Sequence, residues 1–255
     1  MDFVTALGLI IGIGALLVGV LVEGGHLSSL VSLPAFIIIF GGTFGATAIG
    51  FTLKDLKNIP KLLRIAFFEE DIDTSSLIKR LVSFAETARR EGLLALEDDL
   101  SLVEDKFLRK GMQLVIDGTD AELVRNIMET ELAFIQERHQ KCASIFDAAG
   151  GYAPTMGIIG TVMGLVHVLG NLKDTDALGP AIATAFLATL YGIFSANIFF
   201  LPISAKLKNR SAAQIVVYEI ALEGILSVQA GDNPRIVEEK LEAFLAPSDR
   251  AKKSK

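Results

Sequence analysis

Two hydroxyl side chains and two prolines are the residues of this sequence whose types and spacing could handle an ion. Thr161 follows Pro154 by seven residues, which puts both on one face of a helix, and Thr189 lies in the middle of a later apolar segment. A hydroxyl can offer its oxygen to a dehydrating cation, although a threonine in a membrane helix commonly bonds its own i−4 carbonyl. Pro154 and Pro202 each free a backbone carbonyl, which water, protein or an ion must satisfy. The pattern fits an ion pathway, with ordinary helix packing as the alternative.

Enzymatic chemistry is not indicated anywhere along the chain. The sequence has no HExxH or P-loop pattern, and Ser195 has no neighbouring base to activate it as a nucleophile. Cys142 is the single cysteine, so it cannot form an intrachain disulfide or a metal site by itself, and it is predicted to be a small buried hydrophobe. We therefore predict a protein that is not an enzyme and has no cofactor or resident metal.

The elements that must position these residues are four apolar segments. Each is close to the roughly 20 residues that cross a ~30 Å hydrocarbon layer, and their interiors contain no Asp, Glu, Lys or Arg. The segments are residues 4–22, 30–51, 148–169 and 181–203. They predict four transmembrane helices embedded in a lipid bilayer. Because the third and fourth segments hold no carboxylate, the acid that a proton or sodium pathway needs would have to come from another chain.

Basic residues near the segment ends predict the orientation. Lysines and arginines follow the second and fourth segments and precede the third, whereas the two short connections hold only Lys173 and His26. By the positive-inside rule both termini are predicted to be cytoplasmic. No Lys or Arg precedes the first segment and no cleavage pattern follows it, so it is predicted to be a mature helix and not a signal peptide. The net charge of −6 disfavours a nucleic-acid partner.

The polar parts of the chain carry helical periodicity, which predicts a helical cytoplasmic domain. Thr74 and Asp120 are predicted N-caps, and Asn233-Pro234 is predicted to open a short helix that ends near Phe244. The apolar stripes run along residues 77, 81, 84 and 88, along 124, 127, 131 and 134, and along 217, 220, 224 and 226.

The predicted fold is therefore an all-α integral membrane protein in which the loop between the second and third helices and the C-terminal tail form the cytoplasmic domain. The predicted parts are transmembrane helices 1 and 2 in residues 1–51, the cytoplasmic helical loop in 52–147, transmembrane helices 3 and 4 in 148–203, and the helical tail in 204–255.

Small residues form ridges on the predicted spans. Gly157, Gly160 and Gly164 follow one side of the third segment, where close packing of the four helices is the expected role. A continuous small ridge beside Thr189 on the fourth segment is instead predicted to be a thin face along which something passes. This second ridge consists of Ala181, Ala185, Ala188, Gly192 and Ser195.

Four sequence motifs carry a resemblance to a known family. They are Pro154 to Leu165 (PTMGIIGTVMGL), Ala188 to Gly192 (ATLYG), Phe200-Leu201-Pro202 followed by Lys206, and Ala88 to Glu97 (ARREGLLALE). Over essentially its full length the chain resembles the MotA/PomA stator subunits of the bacterial flagellar motor. The resemblance implies a multi-pass protein of the bacterial inner membrane, in which five such subunits surround two copies of a single-span MotB/PomB-type partner.

The resemblance also implies the mechanism. The partner's membrane aspartate would supply the missing acid, and inward ion flow would be coupled to torque on the rotor protein FliG. Pro154 and Pro202 match the prolines that couple ion movement to conformational change, and Thr189 matches a widely shared pathway threonine. Thr161 matches a threonine typical of sodium-driven members, so H⁺ and Na⁺ both stay open as the transported cation, with a lean towards Na⁺.

The rotor-facing residues follow from the same resemblance. Arg89, Arg90 and Glu97 match the charged positions that engage the rotor electrostatically, and Asp98 lies where some relatives carry a second acid. The nearest alternative is the related ExbB/TolQ proton-channel family, which typically has three spans and an external N-terminus. A free-standing transporter or helical scaffold is a third possibility and would require an ion site inside this chain alone.

Overall fold

The computed structural model describes residues 3–68, 73–170 and 175–245, and the regular elements within these ranges are helices. Four of these helices are long and apolar enough to cross a membrane, which confirms the predicted all-α class and the four spans. They are Phe3–Val22, Leu27–Gly50, Ala121–Gly170 and Leu178–Ala230. The chain forms two compact units, one of residues 1–69 with 139–209 and one of residues 70–138 with 210–255.

The first unit begins with two spans of different regularity. The first span is one uninterrupted helix, whereas the second is built from short pieces. Ser32 caps its opening turn by accepting from the amide of Ala35 at 3.4 Å, and a π-helical turn, Ile37–Gly41, joins its two α-helical parts. The helices of this half are α1 (Phe3–Val22), α2 (Leu33–Phe36), α3 (Gly42–Gly50), α4 (Leu53–Lys57) and α5 (Ile59–Phe67).

The third and fourth spans are parts of helices far longer than a membrane requires. Residues 121–149 contain no glycine or proline, so nothing in the sequence stops α9 (Ala121–Gly170) before it reaches the apolar segment. The fourth span begins in α10 (Thr175–Phe194), passes through a π-helical turn at Ser195–Phe200 and continues in α11 (Leu201–Ala230).

Helix α5 packs against the helices that carry the third and fourth spans. Its buried residues Leu62 and Ala66 join Phe146 of α9 and Leu207 of α11 in one apolar cluster. Two ion pairs add to this arrangement: Lys141 of α9 lies 2.9 Å from Asp55 of α4, and Lys208 of α11 pairs with Asp147 of α9. Hydrogen bonds from Lys141 and from Thr52 lower the pKa of Asp55 to about 2, so this carboxylate stays ionised at cellular pH.

The second unit has its own apolar core, to which α9 and α11 also contribute. Its large, fully buried residues include Leu81, Met112, Met128 and Ile225. Its remaining helices are α6 (Thr74–Glu91), α7 (Leu96–Ser101), α8 (Lys106–Ile116) and α12 (Pro234–Glu242). A helical domain outside the spans is thus confirmed, while its predicted boundaries at residues 52, 147 and 204 stay predictions.

The helix caps of this unit test the predictions at single-residue level. Asp120 caps α9 through the amide of Glu122 at 2.9 Å, and Asn233 caps α12 through the amide of Arg235 at 3.0 Å, both as predicted. The predicted cap Thr74 is wrong by one residue, because Asp73 accepts from the amide of Ser76 at 3.0 Å. Both neighbours are residue types that favour the position, and the backbone of the aspartate, with φ −78° and ψ 79°, lies outside the helical conformation.

One apolar stripe is also shifted. Phe134, predicted to lie on the buried side of its helix, is 60% exposed, whereas Met128 and Ile135 are buried with Val124. The buried side of this helix therefore follows positions 124, 128 and 135, and Glu131 lies beside it in an ion pair with Lys110.

Candidate functional site

The third and fourth spans approach each other backbone to backbone. A Cβ atom added at Gly160 would lie 2.7 Å from the Cβ of Ala188, and one added at Gly164 would lie 2.6 Å from the Cβ of Ala185. These distances are shorter than real Cβ contacts, so only glycine allows the approach, as expected for small residues at helix interfaces in membranes. The predicted packing role of the third-span glycines is confirmed.

The same contact corrects the expectation for the small ridge of the fourth span. Ala185 and Ala188 are each 2% exposed because they pack against the glycines of α9, and Ser195 is also buried. A ridge already covered by a neighbouring helix of the same chain cannot serve as an open path at these positions. The ridge packs against α9 because small residues on both helices let the two backbones approach closely.

Thr161 and Thr189 meet at this helix contact. Their hydroxyl oxygens are 2.5 Å apart, and both side chains remain partly exposed. The Thr161 hydroxyl lies 3.1 Å from the carbonyl of Gly157 on its own helix and 2.9 Å from the carbonyl of Ala185 on the other. The Thr189 hydroxyl lies 3.3 Å from the Gly157 carbonyl. The sequence pattern placed both hydroxyls at membrane depth but did not show that they bond each other.

The resulting cluster holds four oxygens and no charge. Two hydroxyls share two carbonyls, so each hydroxyl can turn its single proton towards a carbonyl and present its lone pairs elsewhere. Oxygen ligands of this kind suit hard cations such as Na⁺ and are poor partners for soft metals. Among the described residues no group of three His, Cys, Asp or Glu side chains could hold a metal ion.

The two prolines lie inside long helical runs and not at helix ends. Pro154 lies within α9, and it cannot donate to the carbonyl of Gly150 four residues earlier. Pro202 is the second residue of α11, which continues without a break from the π-helical turn Ser195–Phe200. Such wider turns commonly appear where the normal helix pattern is interrupted. Pro202 is exposed and Pro154 is partly buried.

Tyr191 is a residue of the site that the sequence analysis did not single out. Its hydroxyl donates to the carbonyl of Leu30 at 2.5 Å and accepts from the amide of Ser32 at 3.0 Å. This tyrosine, two residues after Thr189, therefore fastens the fourth span to the beginning of the second span. Its place within the motif ATLYG was the only sequence signal, because its partners lie about 160 residues away in the chain.

Replacing Tyr191 with phenylalanine should lower stability by about 1–2 kcal/mol, because it leaves the Ser32 amide and the Leu30 carbonyl without their partner. The measurement is the thermal unfolding midpoint of the purified protein in detergent. Tyr152→Phe is the matched control, since that ring is 41% exposed. Equal midpoints for the two variants would contradict the fastening role.

The four predicted rotor-facing residues lie in the second unit, on two successive helices. Arg89 and Arg90 occupy the last turn of α6, Glu97 and Asp98 occupy the first turn of α7, and all four are exposed. Gly92, with φ of +90°, makes the turn between the helices in a conformation that other residues rarely adopt. The Arg90 guanidinium donates to Glu91 at 2.8 Å.

Comparison with known proteins places this architecture among characterised relatives. Residues 99–220 match the model of the MotA/TolQ/ExbB proton channel family, and residues 6–92 match that of the motility protein A N-terminal region. Motility protein A of Bacillus subtilis is 41% identical over 99% of this chain and 94% of its own length. The chemotaxis protein PomA of Vibrio alginolyticus is 36% identical over 98% of each chain.

A solved structure has the same fold. A chain of the flagellar MotAB stator complex from Bacillus subtilis superposes with a TM-score of 0.92 and 41% identity, covering 98% of both chains. The chain also matches the motility protein A N-terminal region, in addition to the channel domain. This second match favours the motility protein A type over the three-span ExbB/TolQ alternative.

Proposed function

Because this chain belongs to the MotA/TolQ/ExbB proton channel family and is a subunit of the flagellar stator type, we propose how it couples ions to rotation. It forms an ion-conducting complex with a single-span MotB/PomB-type subunit and converts inward cation flow into torque on the rotor. Its role is that of a motor component and not of an enzyme. The proposed assembly is a pentamer of this chain around two partner helices, in the bacterial inner membrane with both termini cytoplasmic.

The observation that carries the proposal is the oxygen cluster of Thr161 and Thr189 in spans that hold no acid. Four uncharged oxygens can replace part of a cation's hydration shell, yet they cannot neutralise its charge within a membrane. A carboxylate from another chain would complete the site. The membrane aspartate of the proposed partner is the group that would do so, which is why the pathway needs both proteins.

The same cluster supports a proposal for the transported cation. Two hydroxyls and two carbonyls resemble the oxygen ligands of a hard metal cation. We therefore favour Na⁺ over H⁺. Swimming speed of cells that depend on this stator should fall as external sodium is replaced by potassium. The sodium assignment would be wrong if motility persisted unchanged without sodium and was abolished by a protonophore.

Pro154 and Pro202 are proposed to couple ion passage to movement. Each interrupts the hydrogen-bond ladder of a helix that runs from the membrane segment into the polar part of the chain. An interrupted ladder bends more easily than a complete one. Neutralisation of the partner's aspartate next to Thr161 could therefore be converted into a small change of helix direction at these two points.

The direct test is co-purification followed by flux measurement. The full-length chain expressed with its single-span neighbour should be recovered as one complex, and liposomes containing that complex should pass cations. Replacing the partner's membrane aspartate with asparagine should stop the flux without dissociating the complex. Flux that survives this replacement, or flux through this chain alone, would favour the free-standing transporter.

The exposed charges Arg89, Arg90, Glu97 and Asp98 are proposed to contact FliG. A single exposed ion pair contributes less than about 1 kcal/mol, so one charge adds little to the free energy of binding the rotor. The same charges repeated around a ring can steer a partner and set its register.

Reversing one of them, by Arg90→Glu, should lower motor torque severalfold while assembly and ion flux stay unchanged. The reason is that a carboxylate at this position reverses the sign of the charge presented to the rotor, so an attraction made by the arginine would become a repulsion. Torque is measured on tethered cells, and flux on liposomes from the same preparation. Arg80→Glu on the same helix is the matched control. Loss of membrane insertion in the Arg90 variant alone would show a structural role instead.

A further inference from the structure

A cavity of about 290 Å³ lies in the first unit, away from the threonine cluster. Three elements that are distant in sequence form it: the first turns of α1, the end of α5, and the helical run around Pro202. Its walls are mainly apolar, with Leu9, Phe67 and Ile198 among them, and Lys206 is the one cation among the described lining residues. The proposed ion pathway does not use this space.

The cavity lies at a level where a membrane lipid could enter it. Gly8 and Leu9 are close to the beginning of the first span, and Lys206 follows the predicted end of the fourth span by three residues, so both spans meet the polar boundary here. The neighbouring α1 side chains Val4 and Ile10 are 74% and 68% exposed. In a helix that crosses a membrane, such exposed apolar residues face lipid chains.

Water is a poor occupant of this space. The volume equals that of roughly ten water molecules at about 30 Å³ each, but a buried water needs two to four polar partners. An apolar lining offers few of them, whereas the terminal part of an acyl chain needs none. The shape and the chemistry of the walls therefore favour a hydrocarbon chain.

Basic residues around the cavity favour a lipid with a negatively charged headgroup. Besides Lys206, helix α5 carries Lys61 and Arg64 as exposed cations, and Arg64 lies three residues before Phe67 and so on the same side of the helix. The chain as a whole has a net charge of −6, so three basic residues beside one cavity are a local feature and not a reflection of composition.

We propose that the cavity binds one anionic phospholipid per chain, with an acyl chain between α1, Phe67 and Ile198 and the phosphate against Lys206 and Arg64. Helix α5, which is apolar on one side and basic on the other, has the composition of a helix that lies in the membrane surface, and this supports a headgroup at that level. The bound lipid would pack beside Pro202, which lines the same cavity. The site is independent of the cation that the proposed function assigns.

The test measures the lipid that stays with the full-length protein after purification in mild detergent, followed by exchange against defined lipid mixtures. Native mass spectrometry of the wild type should show about one phosphatidylglycerol per chain and at least a tenfold preference over phosphatidylcholine. Gly8→Leu fills the cavity, since nothing lies within 4 Å of a Cβ at this position, and should lower retention about tenfold. Lys206→Gln should lower the preference for the anionic lipid by a similar factor.

Gly19→Leu is the matched control, because it also adds a side chain to α1 where nothing lies within 4 Å, but outside the cavity. It should retain phosphatidylglycerol as the wild type does. Equal retention in the Gly8 and Gly19 variants would overturn the site, and equal binding of the neutral lipid would overturn the headgroup assignment. A crosslinker placed at position 8 that captures a second copy of the chain, and not lipid, would overturn the proposal as well.

Discussion

Replacing Thr189 with valine is expected to abolish sodium-driven torque in a protein that still folds and inserts. Valine keeps the shape of the side chain but removes the oxygen that lies 2.5 Å from the Thr161 hydroxyl and 3.3 Å from the Gly157 carbonyl. A hydrogen bond or ligand contact to a charged group is worth about 1.5–3 kcal/mol, and about 1.4 kcal/mol corresponds to a factor of ten in rate. Ion flux should therefore fall roughly ten- to hundredfold.

The fold should tolerate this change because the Gly157 carbonyl keeps its contact with Thr161 at 3.1 Å. Flux into liposomes and torque on tethered cells are the two measurements. Thr184→Val is the matched control on the same helix, since the Thr184 hydroxyl is exposed and bonds the Pro180 carbonyl of its own helix at 3.0 Å, and it should leave both unchanged. Thr189→Ser should restore most of the flux because it returns the hydroxyl. A Thr189→Val protein with normal flux and a lowered melting temperature would assign the residue to packing alone.

Local chemistry made the helices and most of their ends predictable. Four uncharged apolar runs of about 20 residues allow little besides membrane helices, and a cap such as Asp120 depends only on amides two or three residues away. The Thr74 prediction failed by one residue because two adjacent polar residues can fill the same position and the backbone conformation decides between them.

The candidate site was predictable in its members but not in its arrangement. Thr161 and Thr189 could be predicted as site residues because they are hydroxyls deep in apolar segments. Their mutual hydrogen bond depends on how the two helices are rotated against each other. That rotation is set by glycines and alanines facing each other across the interface, and a single sequence shows only that both faces are small. Tyr191 was missed for the same reason, since its partners lie at the beginning of the second span, about 160 residues away in the chain.

The second large effect is expected at Gly192, where the two helices are closest. An alanine Cβ at this position would collide with the carbonyl oxygen of Ala153 and lie 3.2 Å from the Cα of Gly157. These are backbone atoms, so the contact cannot be relieved by turning a side chain, and overpacking of this kind costs about 1–3 kcal/mol. The helices would have to separate, and Thr189, one turn before Gly192, would move away from Thr161.

Gly192→Ala should therefore lower both the stability of the purified protein and its ion flux, whereas Thr189→Val should affect flux alone. Gly179→Ala is the control on the same helix, since its Cβ would meet nothing within 4 Å. In a helix, alanine is favoured over glycine by up to about 1 kcal/mol, so the control should be neutral or slightly more stable. If Gly192→Ala lowers the unfolding temperature and Gly179→Ala leaves it unchanged or raises it, the effect comes from the contact at Gly192 and not from adding a methyl group to the helix. If the two variants unfold at the same temperature, the close approach of the third and fourth spans is not what holds the threonine pair together.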